Sequence, residues 1–370
     1  MFSPADHLFM ARALQLAAQG RYTTSPNPNV GCVIVQDNQI VGEGFHFRAG
    51  EPHAEVHALR MAGQQAKGAT AYVTLEPCSH FGRTPPCANA LIDAGVSRVV
   101  SAMQDPNPQV SGRGLQRPAD AGVIVQTGLM QSEAEALNLG FIKRMKCGLP
   151  YVRLKLAASI DGRTALENGE SQWITGPEAR ADVQRFRAMS SAILTGADTV
   201  LGDNPSLNVR WEQLPLSIQS VYDEKNLRQP HRVILDSRQR IPTEAHLFSL
   251  SGPVSLVRQQ ASDLSGYPDN VSEFVVASDG EHLDLSACMR VLAQNHLNDI
   301  WVEAGASLAG ALIQAGLVDE LIVYLAPKLM GDAAKGLFHL PIFTHMDQVQ
   351  TWHWHDIRKV GQDLRLTLRP

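Results

Sequence analysis

Between residues 5 and 19 the apolar positions Leu8, Phe9, Ala13, Leu16 and Ala17 recur at helical spacing, and Gly20 ends the run. The turn-rich stretch T-S-P-N-P-N-V-G follows. C-V-I-V-Q-D-N-Q-I-V-G-E-G-F-H then reads as a hairpin of two strands turning at Asp37 and Asn38. A helix is expected from His53 to residue 62, and a short β-rich run from Ala71 to Glu76. Pro77 forces the chain off that run and leaves Cys78 at a strand end. Pro85 and Pro86 lead into a helix, A-N-A-L-I-D-A-G, that closes on Gly95, with proline at the start and glycine past the end. S-R-V-V-S-A-M and G-V-I-V-Q-T-G supply two more strands on either side of the polar loop D-P-N-P-Q-V-S-G-R-G. Pro118 departs from the continuous helix otherwise expected in L-Q-R-P-A-D-A-G; proline is tolerated at a helix start. S-E-A-E-A-L-N-L-G-F-I-K-R-M reads as one closing helix. Helices alternating with apolar strands predict an α/β layer.

C-G-L-P ends that helix, and a boundary between Gly148 and Pro150 divides the chain into residues 1–147 and 148–370. The second part opens on the strand Y-V-R-L-K-L-A-A-S-I-D-G-R. A helix follows S-Q-W-I-T-G-P-E-A-R, with Thr175 as its cap and Pro177 near its first turn. S-A-I-L-T-G-A-D-T-V-L-G-D-N-P is a buried strand entering a glycine turn. H-R-V-I-L-D-S, V-S-E-F-V-V-A-S, D-I-W-V-E and D-E-L-I-V-Y-L-A-P-K are further strands, and residues 211–230 form an irregular excursion. This is a second α/β domain.

The bulk properties narrow the classes. The chain has 370 residues, 44% hydrophobic and 19% charged, so it is globular with room for two cores. A net charge of −5 and a pI near 6.2 argue against nucleic acid as a partner, while leaving room for a small phosphorylated substrate. Five scattered cysteines suit a reducing cytosol better than a disulfide framework. No basic start followed by an apolar run marks a signal peptide, and no stretch approaches the roughly 18 apolar residues of a membrane span, so a cytoplasmic protein without a membrane partner is expected. The oligomeric state stays open, a homo-oligomer included.

The chemistry concentrates between His53 and Cys87. Imidazole and thiolate are good zinc ligands, and a catalytic zinc keeps three protein ligands and an open fourth position. His53, Cys78 and Cys87 are the candidates, with Glu55 as a carboxylate that is no ligand and can carry protons. H-x-E followed by P-C and a second cysteine is the order found in zinc deaminases, although eight residues separate the two cysteines here where the general signature has two. His53 and Glu55 share a site only if both lie near the first turn of their helix, because i and i+2 otherwise point apart. His57 at i+4 reads as structural, since H-x-E-x-H is not the zinc-protease pattern. His80 remains undecided.

H-A-E together with E-P-C-S-H-F-G-R-T-P-P-C resembles the bifunctional deaminase-reductase family of riboflavin biosynthesis, and the resemblance covers nearly the whole chain. It implies a cytidine-deaminase-like three-layer α/β/α domain followed by a dihydrofolate-reductase-like α/β domain. It implies one zinc ion, and Asn27, His46, Arg83 and Asp105 lining the deaminase pocket. Asn27, between two prolines, also reads as a simple turn residue. In the second domain, W-V-E-A-G-A-S-L-A-G is a strand, a small-residue turn and a helix start, where backbone and dipole suit a pyrophosphate. By itself that is a weak signal. With T-G-A-D-T-V-L-G-D-N-P the resemblance implies NADPH contacts at Ala157, Trp173, Thr199, Asp203, Gly305, Ala306, Ser307 and Leu308. It implies a ribose-phosphate site at Ser171, Arg187, Leu207, Arg210 and Glu303, with Lys155 beside it. Arg187 and Arg210 are suited to gripping a phosphate, or else form a solvated helix face and a loop salt bridge.

The expected activity is hydrolytic deamination of 2,5-diamino-6-(5-phosphoribosylamino)pyrimidin-4-one followed by NADPH-dependent reduction of the ribosyl group to ribityl. The residues alone give deamination of a nucleobase-like ring. A tRNA- or nucleoside-editing zinc deaminase with an appended domain is the alternative, and a catalytically silent metabolite sensor on the same scaffold a third.

Overall fold

A computed structural model describes residues 1–370 apart from 80–85, 109, 222 and 281. The chain divides into two compact units, Met1–Gly148 and Leu149–Pro370.

The first unit holds strands β1 (Gly31–Gln36), β2 (Gln39–Phe45), β3 (Thr70–Val73), β4 (Arg98–Ser101) and β5 (Ile124–Thr127) in the order β2-β1-β3-β4-β5. The hairpin turns where expected, with Asp37 and Asn38 at φ of 49° and 60°, the left-handed pair that a tight two-residue turn requires. Helices α1 (Pro4–Gln19), α2 (Ala54–Ala62), α3 (Cys87–Asp93), α4 (Arg113–Asp120), α5 (Gln131–Ala136) and α6 (Leu139–Cys147) surround the sheet. Alternation along β1 builds two cores. Val33 and Val35 pack with Met10 and Leu14 of α1 and Phe141 of α6, while Cys32 and Ile34 pack with Ala54 and Ala58 of α2 and Leu91 of α3. A sheet apolar on both faces and covered on both is the three-layer arrangement. Asp6, in the first turn of α1, ties the layers together: its carboxylate accepts from Tyr72 Oη at 2.6 Å and Arg98 Nη1 at 2.7 Å.

Two local expectations are corrected here. The single closing helix is two, α5 and α6, parted at Asn138. That side chain accepts from the Asn29 N–H at 2.7 Å and donates to its carbonyl at 3.0 Å, so the break serves a contact 109 residues away in sequence. Pro118 lies late in α4 rather than at a helix start, and the helix runs through it.

In the second unit the strands are β6 (Tyr151–Ser159), β7 (Arg163–Ala165), β8 (Ala192–Gly196), β9 (His231–Leu235), β10 (Val254–Arg258), β11 (Val271–Val275), β12 (Ser278–Asp279), β13 (His282–Leu283), β14 (Asp299–Glu303), β15 (Glu320–Ala326), β16 (Lys335–Gly336), β17 (His353–Val360) and β18 (Asp363–Arg369). Nine of them form one sheet in the order β11-β10-β9-β8-β14-β6-β15-β18-β17, parallel except for the β15-β18-β17 end. The helices are α7 (Pro177–Met189), α8 (Ala197–Asp203), α9 (Leu216–Gln219), α10 (Leu285–Gln294) and α11 (Ala306–Gln314). Leu154, Leu194, Ile300 and Val302 pack with α10 and α11 on one face. Ile193, Trp301 and Tyr324 pack with Val183 and Phe186 of α7 on the other, where the Phe186 and Trp301 rings stack at 4.8 Å. The cap of α7 is Gly176, not Thr175. No side chain caps it, and the Gly176 N–H instead donates to Asp363 Oδ2 at 2.8 Å.

The chain leaves β6 for β8 and steps outward to β11, then returns to insert β14 between β8 and β6 before crossing to β15. The carboxyl ends of β8, β14 and β6 therefore flank a reversal in strand order, the place where parallel sheets hold ligands.

Candidate active sites

In the first unit His53 is the residue before α2, with extended backbone at φ −75° and ψ 166°, and Glu55 sits in the helix's first turn. This is the geometry that lets residues two apart face one site. Cys87 is the first residue of α3, after Pro86. Its N–H donates to Cys78 Sγ at 3.2 Å, and the Ala88 N–H donates to the Cys78 carbonyl at 3.2 Å, so a helix start is folded over the end of the β3 segment. His53 Nδ1 lies 3.5 Å from Cys78 Sγ and 3.3 Å from Cys87 Sγ, and the three donor atoms all fall within 4.8 Å of one another. A tetrahedral ion with ordinary zinc–sulfur and zinc–nitrogen lengths puts such atoms about 3.6 Å apart. The donor set and its spacing fit zinc. The contact between the two thiols lowers Cys78 and, together with burial, raises Cys87.

Glu55 is 2% exposed and borders His53, Cys78 and Cys87. Burial pushes its carboxyl up to about 7 against the opposing pull of His53. Asn27 Nδ2 and His46 Nε2 meet at 3.0 Å, His46 Nδ1 reaches the Pro52 carbonyl at 3.2 Å, and the His46 ring stands edge-on to His53 at 5.2 Å. Burial lowers His46 to about 4, so the ring is neutral at pH 7, donating to Pro52 and accepting from Asn27. Asn27 and His46 thus form a polar wall against the ligand cluster. His57 packs its Cβ against Gly44 of β2. Arg83 and His80 lie outside the described residues. Asp105 is buried, and its N–H donates to Glu76 Oε2 at 3.0 Å. Glu76 was not among the expected site residues. Its signal in the sequence is its place in E-P-C, two residues before Cys78.

The second unit collects its candidates at the carboxyl ends of β8, β14 and β6. Glu303, at the end of β14, is the register partner of Lys155, midway along β6. Arg187 of α7 meets Glu303 through Nε–Oε1 at 2.6 Å and Nη2–Oε2 at 2.9 Å, and donates from Nη1 to the Asn208 carbonyl at 2.9 Å. Trp301 Nε1 donates to Glu303 Oε1 at 2.8 Å. Burial would raise the Glu303 carboxyl, but Arg187 and Lys155 hold it at about 2; burial likewise lowers Lys155. Leu207, buried beside Asn208, has φ of 46°, a strained left-handed backbone for a branched side chain. Arg210 is exposed; its N–H donates to Gln184 Oε1 at 3.0 Å and its Nη1 is 3.4 Å from Gln213 Oε1. Ser171 is half-buried in the loop before α7.

For a dinucleotide, the pertinent features are two neighbouring helix starts. Gly196 precedes α8 and Gly305 precedes α11, neither capped by a side chain, and a Cβ at Gly196 would touch Leu308 at 3.4 Å. Uncapped N–H groups at the ends of adjacent parallel strands, with open space at Gly305, fit a pyrophosphate. Ala306 and Ser307 bind the 339 region, the His339 N–H donating to the Ala306 carbonyl at 3.0 Å and Ser307 Oγ meeting His339 Nδ1 at 2.9 Å. Thr199 and Asp203 are on α8, Asp203 exposed. Ala157 lies near the end of β6. Trp173 is 65% exposed, with Arg180 4.6 Å over its indole and Lys328 Nζ donating to its carbonyl at 2.6 Å.

Residues 3–103 match the family model described as the cytidine and deoxycytidylate deaminase zinc-binding region. Residues 150–366 match the RibD C-terminal domain. The chain belongs to the RibD family. It is 58% identical to the riboflavin biosynthesis protein RibD of Escherichia coli over 363 residues, 98% of this chain and 99% of that one. It is 55% identical to RibD of Haemophilus influenzae over 369 residues, 100% and 98% of the two chains. Among solved structures it matches Acinetobacter baumannii RibD with 47% identity, a TM-score of 0.91 and 99% of both chains covered. It also matches the Thermotoga maritima diaminohydroxyphosphoribosylaminopyrimidine deaminase/5-amino-6-(5-phosphoribosylamino)uracil reductase, with 31% identity, a TM-score of 0.86 and 99% of both chains covered. The family accounts for both halves of the chain, so the alternative of an editing deaminase with an unrelated appended domain falls away.

Proposed function

We infer that this RibD family member catalyses two steps of riboflavin biosynthesis, a zinc-dependent deamination and an NADPH-dependent reduction. We assign the deaminase to residues 1–147 and the reductase to residues 148–370. The observation that carries the first assignment is the cluster of His53, Cys78 and Cys87 with Glu55 beside it.

The substrate of the first step, on this reading, is 2,5-diamino-6-(5-phosphoribosylamino)pyrimidin-4-one. Zinc held by His53, Cys78 and Cys87 supplies Lewis acidity and an activated water at neutral pH. Glu55 takes a proton from water and returns it to the departing amine; the ring carbon gains oxygen as its bond to nitrogen breaks, and ammonia leaves. Asn27, His46, Arg83 and Asp105 orient the pyrimidine. In the second step NADPH supplies hydride, held by the α8 and α11 starts with Ala157, Trp173, Thr199 and Asp203. Lys155, Ser171, Leu207 and Glu303 face the ribosyl group as it opens to ribityl, and Arg210 meets the phosphate. Arg187, paired with Glu303, belongs to the same ribose-phosphate site.

A cytoplasmic setting goes with this reading. Among the described residues no helix is long and apolar enough to cross a membrane, and all five cysteines are free. The test is metal content together with ammonia release from the pyrimidine and NADPH oxidation with the deaminated product. One zinc per chain and both activities are expected; zinc-free protein releasing ammonia at full rate overturns the site.

A further inference from the structure

Glu76 is 3% exposed and sits between the end of β3 and Cys78. Its carboxylate accepts three backbone N–H groups: Asp105 at 3.0 Å and Gly112 at 3.0 Å on Oε2, and Gly114 at 2.7 Å on Oε1. Gly112 and Gly114 flank the first residue of α4, so the carboxylate caps that helix from another segment, where the dipole favours negative charge. The Glu76 N–H in turn donates to the Met103 carbonyl at 3.0 Å. The approach is so close that a Cβ on Gly114 would lie 1.8 Å from the Pro77 carbonyl oxygen. Strand end, metal-ligand segment, Asp105 and α4 are thus gathered on one side chain.

We propose that Glu76 is a positioning residue for deamination: it fixes Asp105 in register with the Cys78 segment, so that the substrate-holding loop and the metal ligands keep one geometry. A buried carboxylate whose donors among the described residues are all backbone N–H groups cannot be replaced by an amide without loss. Glutamine keeps one acceptor oxygen and presents an NH2 group to backbone N–H donors, leaving them unpaired. The cost falls on the placement of Asp105, not on the ligands themselves.

The inference rests on Asp105 as a substrate contact, and a double-mutant cycle separates the two. In the full-length zinc enzyme, Asp105→Ala raises KM for ammonia release if that contact is real; an unchanged KM removes the contact and leaves nothing for Glu76 to position. Glu76→Gln is expected to retain zinc and to raise KM about tenfold with kcat altered far less, the pattern of lost uniform binding. In the Asp105→Ala background it adds no further rise. Wild-type KM in Glu76→Gln, additive effects of the two changes, or loss of zinc overturns the proposal. Should Glu76→Gln fail to fold, hydrogen exchange in the wild-type protein decides. The Asp105, Gly112 and Gly114 amides are expected to be protected like those of β3, and exchange at exposed-loop rates overturns the clamp.

Discussion

Arg187 and Glu303 face each other as a two-pronged ion pair, with both nitrogen–oxygen contacts under 3 Å: 2.6 Å and 2.9 Å. The guanidinium expected to grip a phosphate is therefore engaged by a carboxylate, and its third N–H by the Asn208 carbonyl. Removing one partner of such a pair strands a buried charge and costs about 3–5 kcal/mol. Arg187→Ala is expected to lower the unfolding free energy by that amount. Arg187→Lys recovers only part, because an ammonium cannot match the fork. Denaturant unfolding at pH 7 checks both.

The same pair sets an acid response. Burial alone would raise Glu303, yet Arg187 and Lys155 hold it near about 2, against 4.5 for an ordinary glutamate. A depressed carboxylate contributes stability that is complete above its unfolded pKa and is lost as pH falls toward its folded one. The window is pH 4.5 down to about 2. Melting temperatures of the wild type and Glu303→Gln should differ most above pH 5 and converge through that window.

Much of this was legible in the sequence wherever the signal is local. Helical spacing gave α1, the Asp37-Asn38 pair gave the hairpin turn, and the prolines before Cys87 put that thiol at a helix start, whereas β3 ends at Val73 and leaves Cys78 in irregular chain beyond it, not at the strand end expected. The misses are non-local. Asn138 ends α5 because it pairs with the Asn29 backbone, and Gly176 displaces Thr175 as cap because Asp363, 187 residues away, accepts its N–H. Neither distance leaves a trace in a window of a few residues. The Arg187–Glu303 ion pair likewise joins residues 116 apart and leaves no trace in a short window. Strands β10, β17 and β18 add to the expected set. L-R-L-T-L-R in β18 alternates, but its polar positions Arg365 and Thr367 are the more buried, Arg365 pairing with Asp182 and Asp356.

Cys78→Ala and Cys87→Ala should each abolish zinc retention and ammonia release. Two remaining ligands fall short of the three that a catalytic zinc needs. Elemental analysis of the purified variants is the measurement, with reduction of supplied deaminated intermediate as the control for folding.

Gly114→Ala tests the packing beneath the cysteine segment. The new methyl would meet the Pro77 carbonyl oxygen at 1.8 Å and Pro77 C at 3.0 Å. Both are backbone atoms and cannot rotate away. Overpacking costs about 1–3 kcal/mol where side chains give way, so a loss at or above the top of that range is expected. The expected signature is a lower melting temperature for the first unit together with weaker zinc retention, since Pro77 precedes Cys78. Equal stability would mean that α4 stands off further than this contact requires.

The last prediction concerns the separateness of the two activities. His53, Glu55, Cys78 and Cys87 belong to the unit Met1–Gly148, whereas Lys155, Gly196, Glu303 and Gly305 belong to the unit Leu149–Pro370. Deamination acts on a ring carbon that bears an amine and needs a proton carrier beside the metal ligands. Reduction acts on the ribosyl carbon and needs a nicotinamide against it. The reacting atoms lie on different parts of one molecule and require different neighbours. Glu55→Gln should therefore keep zinc and lose about 10²–10⁴-fold of ammonia release, the usual contribution of a general acid–base group. It should reduce the supplied deaminated intermediate with NADPH at the wild-type rate. Conversely, Asp203→Ala and Arg210→Ala, both exposed positions in the second unit, should impair NADPH oxidation and spare ammonia release. Both activities measured on both classes of variant decide the matter. A folded Glu55→Gln protein unable to reduce the supplied intermediate would show that one site serves both reactions.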